Sequence, residues 1–100
     1  MSHHFRVALL AACAAVLNAC ASITLAPGAD QVHLTDKSSE VVTCKSRGNI
    51  TVPKNEQGLV DMAVAQKQFR NQVVGLNANV GLVTEGLMRF PSAGVAYRCP

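Results

Sequence analysis

The chain has no tryptophan, and its aromatic residues are 4% of a 100-residue sequence. That leaves too few flat side chains for a surface that stacks nucleic-acid bases. Charged residues are also scarce, at 15%. So low a fraction argues against a disordered polyelectrolyte. The net charge is only +3, with a pI near 8.9, too mild for a nucleic-acid binder. No Cys-x-x-Cys pair and no glycine-rich phosphate loop occurs. His33 is the one histidine beyond the first few residues. A Ser-His-Asp set would have to use it, yet it falls on the polar side of a predicted strand. The six acids Asp30, Asp36, Glu40, Glu56, Asp61 and Glu85 are scattered and read as solvated surface. No convergent set of reactive groups emerges, so the expectation is a protein that is not an enzyme and needs no cofactor.

Apolar residues make up 49% of the chain, but they crowd its beginning. Arg6 and two histidines precede an unbroken apolar run, Val7–Leu17, with small residues after it. A charged start, a short apolar run and small residues describe a secretory signal peptide. A membrane span needs about 20 apolar residues, and reaching that length here would include Asn18, Pro27 and Gly28.

The run closes on Leu17-Asn18-Ala19-Cys20. These four residues resemble a bacterial lipobox, with Asn18 where Ala or Ser is usual. The resemblance implies that the Cys20 thiol receives a diacylglycerol, that the chain is cut before Cys20, and that its new amine is acylated (palmitate is the usual chain). Ala21 in place of Asp after the cysteine implies delivery to the outer membrane, facing the periplasm. Leu10-Ala11-Ala12-Cys13 is a second match, preceded by too short an apolar run. The alternative is ordinary cleavage after Ala21, since Ala19-Cys20-Ala21 obeys the small-x-small rule. The domain reading is a signal peptide over 1–19, a lipidated tether over 20–30 and a small α+β domain over 31–100.

Four cysteines are present. Cys13 falls in the leader and Cys20 in the lipid motif, leaving Cys44 and Cys99 as an even pair in an exported chain. One pairing remains. It closes a loop of about 55 residues and is worth about 4 kcal/mol on the chain-entropy model. A metal site is the weaker reading, because two cysteines and one histidine fall short of a ligand set.

Along the rest of the chain, Val32 and Leu34 alternate with polar residues as in a half-buried strand. Asp36–Glu40 reads as a polar turn. Val41–Lys45 and Asn49–Val52 read as strand, with a bend or bulge at Ser46–Gly48. Met62, Ala65, Phe69, Val73 and Leu76 recur every three or four residues, which predicts an amphipathic helix over Leu59–Leu76. Asn77 suits its left-handed C-terminal cap. Asp61, Lys67, Arg70 and Asn71 form the opposite face. That face reads as solvated, the alternative for Lys67 and Arg70 being contact with phospholipid or lipopolysaccharide headgroups. Val80–Thr84 and Val95–Cys99 read as strands around a loop over Glu85–Gly94, whose Leu87, Met88 and Phe90 read as core packing, the alternative being a docking site. Asn49-Ile50-Thr51 matches a glycosylation sequon by accident of composition. The fold class is therefore α+β, a small antiparallel sheet in the order ββαββ with one helix on one face and one disulfide.

Leu25-Ala-Pro-Gly-Ala-Asp-Gln-Val32, Val42-Thr-Cys44 with Gly48, Leu76-Asn-Ala-Asn-Val80 and Gly94-Val-Ala-Tyr-Arg-Cys-Pro100 together resemble a family of small Gram-negative lipoproteins built on a domain of unknown function. That family usually carries Gly where this chain has Asn77. It is distantly similar to the outer-membrane sensor lipoprotein of the Rcs envelope-stress phosphorelay, whose domain is also α+β and disulfide-tied. The resemblance implies a non-enzymatic envelope lipoprotein with a structural, sensory or adaptor role, partnered by the membrane through its lipid and by an envelope protein, with no nucleic acid and no metal. The alternative class is a periplasmic small-ligand binder or enzyme inhibitor.

Overall fold

The computed structural model describes residues 23–100. Residues 1–22 lie outside the described part, and with them Leu17, Asn18, Ala19 and Cys20. Among the described residues four strands, β1 (His33–Thr35), β2 (Lys45–Thr51), β3 (Val80–Gly86) and β4 (Pro91–Arg98), form one sheet with a single helix, α1 (Ala65–Gly75). Short 3-10 turns at Ala29–Gln31 and Ser38–Val41 precede and follow β1. The class is α+β, in the order ββαββ.

The sheet order is β1-β3-β4-β2. β4 is antiparallel to both of its neighbours. β1 runs parallel to β3, with His33, Leu34 and Thr35 opposite Val80, Gly81 and Leu82. The expectation of a wholly antiparallel sheet is corrected at this edge. The cause is topological: β1 joins the sheet beside β3, with β2 and α1 between them in the chain, rather than beside β2.

The core forms where α1 crosses the sheet. Ala65, Phe69 and Val73, four residues apart, are all fully buried. They pack on Ile50, Val52, Val83 and Ala96. The Phe69 ring lies on two glycines of adjacent strands. A Cβ at Gly94 would stand 2.6 Å from Phe69 Cζ, and one at Gly81 would stand 2.6 Å from Phe69 Cε1. Contacts that close leave no room for any side chain, so the two glycines make the floor of the aromatic seat.

The helix ends as its sequence suggests. Asn77 has φ 56°, its N–H bonds the Val74 carbonyl (2.9 Å) and the Ala78 N–H bonds the Val73 carbonyl (3.1 Å). This is a Schellman cap. The helix starts later than its periodicity predicts. Asn55 Oδ1 accepts the N–H groups of Gln57 and Leu59, and Asp61 Oδ1 accepts that of Ala63. These local bonds hold the approach in turns, so Met62 is exposed rather than on the apolar face.

Two other boundaries move. Val41 ends a 3-10 turn, and β2 begins only at Lys45. The bulge falls where expected, between Ser46 and Gly48, leaving Arg47 unpaired. β4 begins at Pro91, inside the predicted loop. Proline fits there because the first residue of a strand can lack a ladder donor.

The sheet's other face carries a smaller cluster of Val41, Val80 and Leu82, backed by Tyr97, Cys44 and Cys99. Among the described residues no helix is long and apolar enough to cross a membrane.

Candidate functional site

Cys44 and Cys99 are joined, with Cα atoms 4.4 Å apart. Cys44 immediately precedes β2 and Cys99 immediately follows β4, so the bridge closes the same end of the two paired strands. Asn79 reinforces this end. Its Oδ1 accepts the Cys99 N–H (2.8 Å) and its Nδ2 donates to the Cys99 carbonyl (3.0 Å). Its backbone N–H reaches the Tyr97 carbonyl, and its own carbonyl accepts from His33 N. One residue thus holds the ends of β4 and β1 together at the start of β3. No motif assigned it that role. The only signal is an asparagine, poor in strands, standing at a strand entrance.

His33 and Glu40 meet across the turn after β1, Nε2 to Oε1 at 3.1 Å. The other Glu40 oxygen accepts the hydroxyl proton of Thr35, and Thr35 Oγ1 accepts the Lys37 N–H (3.1 Å). The Thr35 hydroxyl, then His33, hold the Glu40 carboxyl below the usual carboxylate range. Thr35 is buried although its alternation predicts a polar-side residue, because its hydroxyl is the hub of this turn. The group braces residues 35–40.

α1 carries four polar side chains that fasten other segments to it. Arg70 donates through Nη1 to the carbonyls of Ala29 (3.2 Å) and Val32 (2.6 Å). Asn71 accepts the Ala26 N–H (2.7 Å) and donates to the Thr24 carbonyl (2.9 Å). Gln66 donates to the Met88 carbonyl (3.1 Å) and Gln72 to the Thr51 carbonyl (2.9 Å). The expected solvated face is therefore corrected for Arg70 and Asn71. Both are half-buried and hold the chain before β1, while Lys67 stays exposed. The stretch read as a tether is, from Thr24 onward, laid along the helix.

An open cavity of about 250 Å³ lies beside the helix C-terminus, lined by residues that include Gln31, Val74, Asn77, Asn79 and Arg98. None of the sequence's candidate residues lines it. Among the described residues no group of three or more metal-ligating side chains converges. Leu59 (64% exposed), Met62 (62%) and Leu87 (66%) present apolar side chains to solvent, as does Val42 (79%) near the disulfide. The Gln66–Met88 bond ties the start of α1 to the β3–β4 turn. Of the three apolar residues of that turn, Leu87 is exposed while Met88 packs against the core.

These features define a small disulfide-closed α+β domain. No protein-family model, no curated protein and no solved structure matches this chain.

Proposed function

We propose that this protein is a non-enzymatic lipoprotein of the bacterial envelope, anchored by its N-terminal cysteine in the outer membrane, facing the periplasm and acting through protein contacts. The observation that supports it most is the allocation of the cysteines. The bridge uses Cys44 and Cys99, as suits an oxidising compartment. Cys20 is left at the end of an apolar run, in the sequence Leu17-Asn18-Ala19-Cys20. The thiolate is the strongest nucleophile among common side chains, which is what lipid transfer to a side chain requires.

The exposed Leu59, Met62 and Leu87 support action by contact with another protein, since large apolar side chains left in solvent on a small domain suit a partner's surface. The cavity beside Asn79 is smaller than the roughly 300–1,000 Å³ of ordinary small-ligand sites, which favours the contact reading over a ligand binder. The test is site-specific photo-crosslinking in intact envelopes. A crosslinker at Leu87 should give one defined protein adduct that a crosslinker at Arg47, in the bulge of the edge strand β2, does not. Absence of any adduct at Leu87 contradicts the contact reading.

A further inference from the structure

We infer that the outer face of α1, around Lys67 and Asn71, is the surface that rests on the phospholipid bilayer. The inference deepens the anchoring proposed above and rests on acylation of Cys20.

It begins with the strap. Asn71 grips the backbone on both sides of Leu25, through the Thr24 carbonyl and the Ala26 N–H. Arg70 fastens the next turn through Ala29 and Val32. The domain is thus held to its N-terminal segment as early as Thr24. From Cys20 to Thr24 is four residue steps. Fully extended they span about 14 Å. The polar headgroup zone on one side of a bilayer is about 5–7 Å deep. An acylated Cys20 sits in that zone, so the strap cannot lift its docking point far above the headgroups.

The helix fixes which way the domain faces. Lys67 and Asn71 are four residues apart, on the side of α1 opposite Ala65, Phe69 and Val73. The strap therefore leaves the domain over the outward face of the helix. That face is chemically suited to an anionic lipid surface. The helix itself carries no acidic residue and Lys67 is exposed on it, the nearest acid in the strap being Asp30 on the turn that Arg70 holds. A basic side chain within a Debye length of anionic headgroups is attracted to them. The sheet's far face, with Asn49 and Thr51 exposed, then points away from the membrane.

The absence of native tryptophan gives a clean test. Lys67→Trp and Asn49→Trp proteins, each expressed from the whole sequence and extracted from envelopes in detergent, are reconstituted into vesicles of phosphatidylglycerol and a phosphatidylcholine brominated high on its acyl chains. Both indoles have the same intrinsic liking for the interface, so a difference between them reports orientation. Fluorescence at position 67 should be quenched severalfold more than at position 49. Adding Asn71→Ala, which releases Thr24 and Ala26 and so lengthens the free tether, should shrink that difference while the protein still floats with the vesicles. Equal quenching at the two positions on floating protein overturns the orientation and leaves the anchor standing. Protein that remains in the supernatant overturns acylation and the orientation with it.

Discussion

Asn79 grips both backbone groups of Cys99, accepting its N–H at 2.8 Å and donating to its carbonyl at 3.0 Å. The disulfide and the carboxamide thus secure one strand end by two independent means, one covalent and one by hydrogen bonding. Asn79→Ala orphans both groups at a partly buried site. The expected cost is about 1–3 kcal/mol, read as a lower urea midpoint with the bridge intact. Asn79→Asp keeps the acceptor but turns a second oxygen toward the Cys99 carbonyl, so it should not restore stability.

Cys99→Ser removes the covalent tie. Loss of a native bridge from a small domain costs about 2–5 kcal/mol, a large part of the total for so small a core. Amide exchange should show fraying first at 95–99, and Cys44 should become reactive to alkylating agents. In the unaltered protein, alkylation of Cys44 and Cys99 without reductant would mean that no bridge forms.

Glycine substitutions separate the packed floor from open surface. A methyl group at Gly94 overlaps the Leu82 carbonyl oxygen and crowds the Phe69 ring. Gly94→Ala should therefore destabilise by about 3 kcal/mol or more, above the usual range of overpacking because backbone must move. At Gly75, in the last turn of α1, a methyl group meets nothing within 4 Å. Gly75→Ala should stabilise by about 0.5–1 kcal/mol. Thermal unfolding of the two variants beside the parent reads both signs.

The turn after β1 makes stability depend on pH. Glu40 is held below the ordinary carboxylate range by Thr35 and then by His33. A group whose folded pKa is depressed contributes stability that is present above its unfolded value, about 4.3 for glutamate. That contribution is lost as pH falls through the lower folded value. Acid titration below about pH 4 should weaken the parent by this increment, and Glu40→Gln should lack it. Identical acid profiles for the two proteins would contradict the assignment.

The parts of the fold that were legible in the sequence are those set by local repetition. The spacing of Ala65, Phe69 and Val73 marks the buried stripe of α1, and Asn77 marks its cap. The bulge at Ser46–Gly48 and the cysteine pairing were also readable. What escaped depends on contacts distant in sequence. The parallel seat of β1 on β3 is decided by register across elements, which no local pattern carries. The start of α1 was displaced by asparagine and aspartate turns that compete with helix bonds. Arg70 and Asn71 looked like solvent-facing residues because periodicity places a side chain on a face but does not say what lies over that face. Here the chain's own N-terminal strap lies along its Arg70–Asn71 side, while Lys67 stays exposed. The opening of β4 at Pro91 was hidden by a residue that usually punctuates loops.

The central claim is that the mature protein begins at an acylated cysteine. Intact mass spectrometry of the protein extracted from envelopes tests it most directly. The expected result is a chain starting at Cys20 that carries diacylglycerol and an N-acyl group, with the Cys44–Cys99 bridge closed. An unmodified chain starting at Ser22 and recovered free in the periplasmic fraction would contradict it.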